Sequence, residues 1–150
     1  MANISNILFS FTSELVEAAA DETPLKNAQI QADIYEEIKP GKIIRIDDVR
    51  SSSPVIIGSG EIREDNAVIP VHFLKMPESQ KLSDRLAARQ TAEDMATEWL
   101  KAFYNNPKLA DEEGTPRVCN VGNVNKFNDW IKPGTVKIPV CVLRLLINPR

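Results

Sequence analysis

With 150 residues, 43% of them hydrophobic and 26% charged, the chain has the length and composition of one globular domain with a core of its own. A formal net charge of −3 excludes the chain-wide basic surface of a general nucleic-acid binder. No apolar run reaches the ~18 residues of a membrane-crossing helix, the nearest, IPVCVLRLLI, being short and carrying Arg144.

The chain opens on MANISNILFSF, which lacks the basic start and small-residue cleavage site of a secretion signal, so the expectation is folding in a cytosol. Ile4, Ile7, Leu8, Phe11, Leu15 and Val16 recur at helical spacing and predict a first helix on one apolar face, with Asn3 or Ser5 as cap. Asp21-Glu22-Thr23-Pro24 should end it. Leu25 to Ile38 supports two readings. Pro24 suits the first position of a second helix with Thr23 as cap, whereas Ile30, Ala32 and Ile34 alternate as in a strand. Lys39-Pro40-Gly41-Lys42 is a turn.

Three Val- and Ile-rich runs follow: KIIRI, PVIIGSGEI and NAVIPVHFLKM. The links between them, Asp47 to Ser53 and Arg63 to Asn66, are short and polar, which predicts an antiparallel meander. Gly58 and Gly60 point to a bulge or bend in the middle run. Ser83 to Asn105 is the clearest helix, with Ala88, Ala92, Met95, Ala96, Trp99 and Phe103 on one stripe and Arg85, Arg89, Glu93 and Lys101 elsewhere on the cylinder. NNPKLADEEGTP reads as a loop, RVCNVGNV as a strand, FNDWIKPG as an excursion and VKIPVCVLRLLI as a closing strand. The order predicts one α+β domain over residues 1–150, a mostly antiparallel or mixed sheet of about five strands flanked by two main helices.

AVIPVHFLK and VKIPVCVLR each set a proline, Pro70 and Pro139, among β-branched residues. Proline donates no ladder hydrogen bond, so both are expected at the beginnings of their strands. Cys119 and Cys141 lie in apolar strand patterns with no second Cys or His at ligand spacing, and read as buried, reduced thiols.

Catalytic signatures are sparse. His72 is the one histidine and alternates with Val71 and Phe73 as a strand residue; no serine sits in a G-x-S-x-G elbow, and no helix opens after the GSGE at Gly58. Asp47, Asp48, Glu61, Glu64 and Asp65 near strand ends leave a small metal-dependent nuclease or hydrolase, working through Asp47, Glu61 and Asp65, as an alternative. Such sites want a lysine beside the carboxylates, and Glu61-Ile62-Arg63 offers an arginine. Neither a catalytic residue nor a metal or cofactor is expected.

Charge is unevenly spread. Up to Pro40 two lysines face seven carboxylates, a net of −5; from Arg117 onward six cations face Asp129 alone, a net of +5. Solvated surface explains this, as does an acidic face of one copy meeting a basic face of the next, the head-to-tail contact that generates rings. Glu14, Glu17, Arg50, Arg63, Asp65, Arg117, Lys126, Trp130 and Lys132 are the candidate contact residues on that reading. Phe127 and Trp130, in the excursion, are either an exposed patch or packing beneath the loop.

A leading amphipathic helix from Ile4 to Val16, the strands PVIIGSGEI and NAVIPVHFLKM, the helix around Trp99 and the closing VKIPVCVLRLL together resemble the tail-terminator family of long-tailed bacteriophages. The likeness covers most of the chain, except Leu25 to Lys42 and FNDWIKPG. It implies a structural virion protein with no enzymatic activity, made in the host cytoplasm. Such a protein forms a hexameric ring, caps the major tail tube protein to end its polymerisation, and presents a surface to the head-completion or stopper protein, with DNA passing through. Another neck component, a stopper or adaptor, is the neighbouring alternative, and an accessory or immunity-type protein acting only by binding is a further one.

Overall fold

The computed structural model describes residues 4–32, 37–46, 51–56, 62–105, 108–110, 116–132 and 136–149. Its elements in chain order are α1 (Ile4–Ala18), β1 (Gln29–Gln31), β2 (Lys42–Ile46), β3 (Ser51–Ile56), β4 (Ile62–Lys75), α2 (Leu82–Tyr104), β5 (Lys108–Ala110), β6 (Pro116–Ile131) and β7 (Ile138–Pro149). The α+β class stands: five longer strands form a mixed sheet, to which β1 and β5 add three residues each. The order across the sheet is β1-β2-β4-β7-β6-β5, with β3 paired to β4 off that path. Among the described strands only the β1–β2 pair is parallel. The expected meander is not formed: β2 and β3 do not pair with each other but follow one another along the same flank of β4.

Both helices pack on one face. Period-2 alternation sends Ile44 and Ile46 of β2, Ile69, Val71 and Phe73 of β4, and Cys141, Leu143 and Leu145 of β7 toward them, all buried. The stripe expected on α2, from Ala88 to Phe103, is buried at every position. At its centre Trp99 stacks on Phe103 at 5.0 Å and meets Phe11 of α1 and Phe73 of β4 edge-on, each at 5.9 Å. The indole N–H donates to Thr12 Oγ1 at 2.9 Å, and that hydroxyl donates to the Leu8 carbonyl at 2.7 Å. A fully buried Trp and a mid-helix Thr thereby satisfy each other.

The opposite face is apolar too. Ile43, Leu74, Ile138, Val140 and Val142 form a second buried cluster, with Ile38, Met76, Ile131 and Val136 packed against it. On this face Arg45 is 4% exposed and its Nε donates to Gln31 Oε1 at 2.6 Å, while Gln31 Nε2 donates to the Glu37 carbonyl at 2.9 Å. The β1–β2 pairing sets Gln31 beside Arg45, which gives the short parallel strand a purpose that its length alone does not.

Several expectations are corrected. No second helix opens at Pro24: residues 21–27 form turns, closed by Lys26 N–H to the Thr23 carbonyl and Ala28 N–H to the Leu25 carbonyl, and strand β1 follows. Glu22 and Asn27 both have positive φ, which no helix accommodates. Ser51–Ser53, read as a link, begin β3, and Arg63 to Asn66, read as a link, lie inside β4. Pairing between the two strands overrides the weak local β preference of these polar residues. A register shift between Ser53 and Pro54 leaves Asp65 as the extra residue of a bulge. Lys108–Ala110, expected in a loop, pairs with β6. FNDWI is no excursion: it continues β6 in register with β7 as far as Ile131 opposite Ile138, and Gly122 carries the bulge that lets so long a hairpin bend. Asp47 to Arg50, Gly58, Gly60, Glu61 and Ile34 lie outside the described residues.

The prolines have different explanations. Pro139 is the second residue of β7, as expected. Pro70 lies deep within β4 and not at its beginning. There β4 passes from one neighbour to the other: β2 pairs with Val71 to Lys75 and β3 with Ile62 to Val68, so no described residue stands opposite Pro70 on that flank. On the other flank it faces Arg144 of β7. Proline is tolerated where a neighbouring strand is absent.

Cys141 is fully buried under α2, and burial raises its thiol pKa above the ordinary 9.0, with Lys126 opposing and Glu93 adding to the shift. A folded-state thiol pKa above the unfolded value means that the folded chain keeps its proton longer. Its contribution to stability is complete below about pH 9 and is lost as pH rises through the folded value. Cys141→Ala should therefore flatten the alkaline decline in melting temperature above pH 9, and the native thiol should resist iodoacetamide at neutral pH. Rapid native-state alkylation of Cys141 would contradict its placement.

Candidate functional site

The residues expected to form contacts do not converge on one point. Glu14 and Glu17 are exposed on α1, one turn apart. Arg63 and Asp65 stand in β4 and Arg117 in β6, whereas Arg50 lies outside the described residues. Lys126 and Trp130 share the helix-facing side of β6, opposite Leu143 and Pro139 of β7, and Lys132 is exposed just past the strand's end.

Trp130 brings the neighbouring elements together. It is half-buried at the end of β6, and two arginines of α2 lie over its ring, Arg89 at 4.5 Å and Arg85 at 5.8 Å from the ring centre. Arginine over an indole face is attracted by the ring quadrupole, worth ~0.5–2 kcal/mol according to exposure. Gln80 fixes the geometry from one side. Its Oε1 accepts from the Lys137 N–H at 2.9 Å, its Nε2 donates to the Lys137 carbonyl at 3.3 Å, and its own carbonyl accepts from Arg85 Nε at 3.1 Å. From the other side Asn128 Nδ2 donates to Glu93 Oε1 at 2.9 Å. The entry to α2 and the β6–β7 hairpin are thus tied together around the indole.

Two properties mark this ledge. Among the described residues the ion pairs are Lys26–Asp21, Lys75–Glu78 and Lys101–Glu98, so neither Arg85 nor Arg89 has a carboxylate partner. Leu82 and Leu86 lie on the same stripe of α2 and are 61% and 49% exposed. Further along that side of the helix a groove of about 240 Å³ is lined by Ala96, Leu100, Tyr104 and Lys126. From the sequence, Arg85 and Arg89 stand off the core stripe of α2 and Leu82 and Leu86 have no evident role. The signal was the repeated four-residue spacing, two leucines and two arginines forming a second stripe.

A second, more open hollow of about 400 Å³ lies between the 22–27 turn, Lys42 and the Thr91–Asp94 side of α2. Lys42 Nζ donates to the Pro24 carbonyl at 2.8 Å, and burial, then the neighbouring Lys75, lowers its pKa from the ordinary lysine value. Among the described residues no three His, Cys, Asp or Glu side chains come together as a metal ion would require. Of the nuclease triad, Asp47 and Glu61 lie outside the described residues. His72 is half-buried in β4 between Arg45 and Val142. Among the described residues no helix is long and apolar enough to cross a membrane. No protein-family model matches the chain, and no curated protein sequence does.

Proposed function

We propose that this protein is a structural component of a phage virion that caps the tail tube as a ring, a use that suits a chain with an acidic N-terminal and a basic C-terminal portion. The observation that carries the reading is the disposition of its elements: a leading amphipathic helix and one long helix on the same face of a mixed sheet, with β2, β3 and β4 before the long helix and the long β6–β7 hairpin after it. The resemblance to tail terminators rests on that element order, although the three strands before the long helix are not a meander. On this reading the protein acts by surface complementarity, with no chemical step. Its partners are further copies of itself, six to a ring, together with the major tail tube protein on one side and the head-completion or stopper protein on the other. DNA passes through the ring, and the protein leaves the host cytoplasm within the virion neck.

The ledge on α2 and the unpartnered carboxylates of α1 support such a role, because a ring needs two different surfaces on each copy. The experiment is electron microscopy of particles assembled without the protein. Overlong tubes and tails lacking heads are expected. Tails of ordinary length joined to filled heads would overturn the proposal.

A further inference from the structure

We infer that the ledge of Arg85, Arg89 and Trp130 receives the acidic end of helix α1 from a second copy of the chain, with Glu14 and Glu17 docking on the two guanidinium groups. The contact deepens the ring reading and rests on it only for the closure into a ring. The inference starts from two unpartnered sets of charge. Among the described residues Arg85 and Arg89 have no carboxylate partner, and Glu14 and Glu17, both exposed, have no cation partner. Their spacings match, since residues three and four apart on a helix both set their side chains about 5–6 Å apart. Two carboxylates one turn apart on α1 therefore meet two guanidinium groups one turn apart on α2 without distorting either helix.

Trp130 makes the receptor specific. Contact with the indole holds the cations in place and uses none of their N–H donors, which lie in the guanidinium plane and suit a carboxylate's two oxygens. The order that binding would otherwise impose on two long side chains is already present in the single chain.

The surroundings favour a protein partner. Leu82 and Leu86 are exposed on the same stripe, and arginine and tryptophan beside apolar side chains is the composition of an interface centre. A nucleic-acid backbone fits less well, because the two arginines alternate with exposed leucines on α2 and form no extended basic surface. The donor and acceptor surfaces lie on different helices, so the contact is head-to-tail and propagates from copy to copy.

Charge reversal tests it on the full chain. Sedimentation velocity at low salt, up to about 1 mM protein, should show self-association that weakens with added salt. The pair R85E/R89E and the pair E14K/E17K should each weaken it at least about tenfold, since like charges now face each other. An equimolar mixture should restore association to within about threefold of the native chain, because each variant offers the surface the other lacks. That rescue also shows that both variants fold, as far-UV circular dichroism checks independently. Unchanged association in either variant, or no recovery on mixing, overturns the docking while leaving a ring formed by other surfaces standing. A native chain that stays monomeric throughout overturns it as well. Self-association through these residues by a protein that fails to cap tubes leaves the docking intact and contradicts the proposed function.

Discussion

Trp99→Ala is expected to cost about 3–5 kcal/mol of unfolding free energy, the range for removing a fully buried aromatic side chain. For a chain of this length that is a fall of roughly 10–15 °C in melting temperature. The size of the effect follows from what converges on the indole. Phe11 reaches it from α1, Phe103 from its own helix and Phe73 from the sheet, so one substitution opens a cavity where three elements meet. It also strips Thr12 of the donor its hydroxyl was accepting from. Trp99→Phe keeps most of the ring contact and loses the N–H, and should cost about 1–2 kcal/mol. Urea denaturation of the three proteins measures both values. A loss below 1 kcal/mol for Trp99→Ala would mean that α1 does not pack where it is placed.

The second large effect is expected on the other face of the sheet. Gln31→Leu removes the acceptor at 2.6 Å from Arg45 Nε, in a setting where Arg45 is only 4% exposed. Hydrogen bonds to a buried charge contribute more than neutral ones, so a loss of about 2–3 kcal/mol is expected. The cause can be isolated with a double-mutant cycle. Gln31→Leu combined with Arg45→Leu should cost less than the two single changes together, with a coupling of about 1–2 kcal/mol. Additive costs would show that Gln31 stabilises β1 independently of the guanidinium. The observation matters for the fold because β1 is three residues long and pairs on one side only, with β2. A strand that short needs a specific anchor.

The parts of this fold that were legible were those in which a local pattern and a tertiary demand agree. The stripe of α2 from Ala88 to Phe103 repeats at helical spacing over four turns, and each of its residues is buried. KIIRI and the run around Pro139 alternate or cluster as strands do, and they form strands. The failures came where pairing overrides local preference. Arg63 to Asn66 has the composition of a turn and Asn128-Asp129 that of a loop tip, yet both lie in strands whose register is imposed by β3 and by β7. Pro70 looked like a strand opener because a neighbour's absence on one flank is invisible along a single chain. Thr12 and Gln31 escaped for a related reason, each having its meaning in a partner far along the chain, Trp99 and Arg45.

The candidate site was legible only in part. Trp130 stood out as a large aromatic among polar residues, and Glu14 and Glu17 as part of the acidic stretch up to Pro40. What the Trp touches was not, because Arg85 and Arg89 are separated from it by the whole of β5 and most of β6. Regional charge pointed to the cations after Arg117, whereas α2 carries two earlier arginines to the Trp130 ring.

Capping is tested most directly on tubes themselves. Short tail tubes incubated with the purified protein and then supplied with fresh tube subunits should carry ring-shaped density at one end, and that end should stop growing. Tubes that lengthen at an undiminished rate, with bare ends, would contradict a role in ending polymerisation.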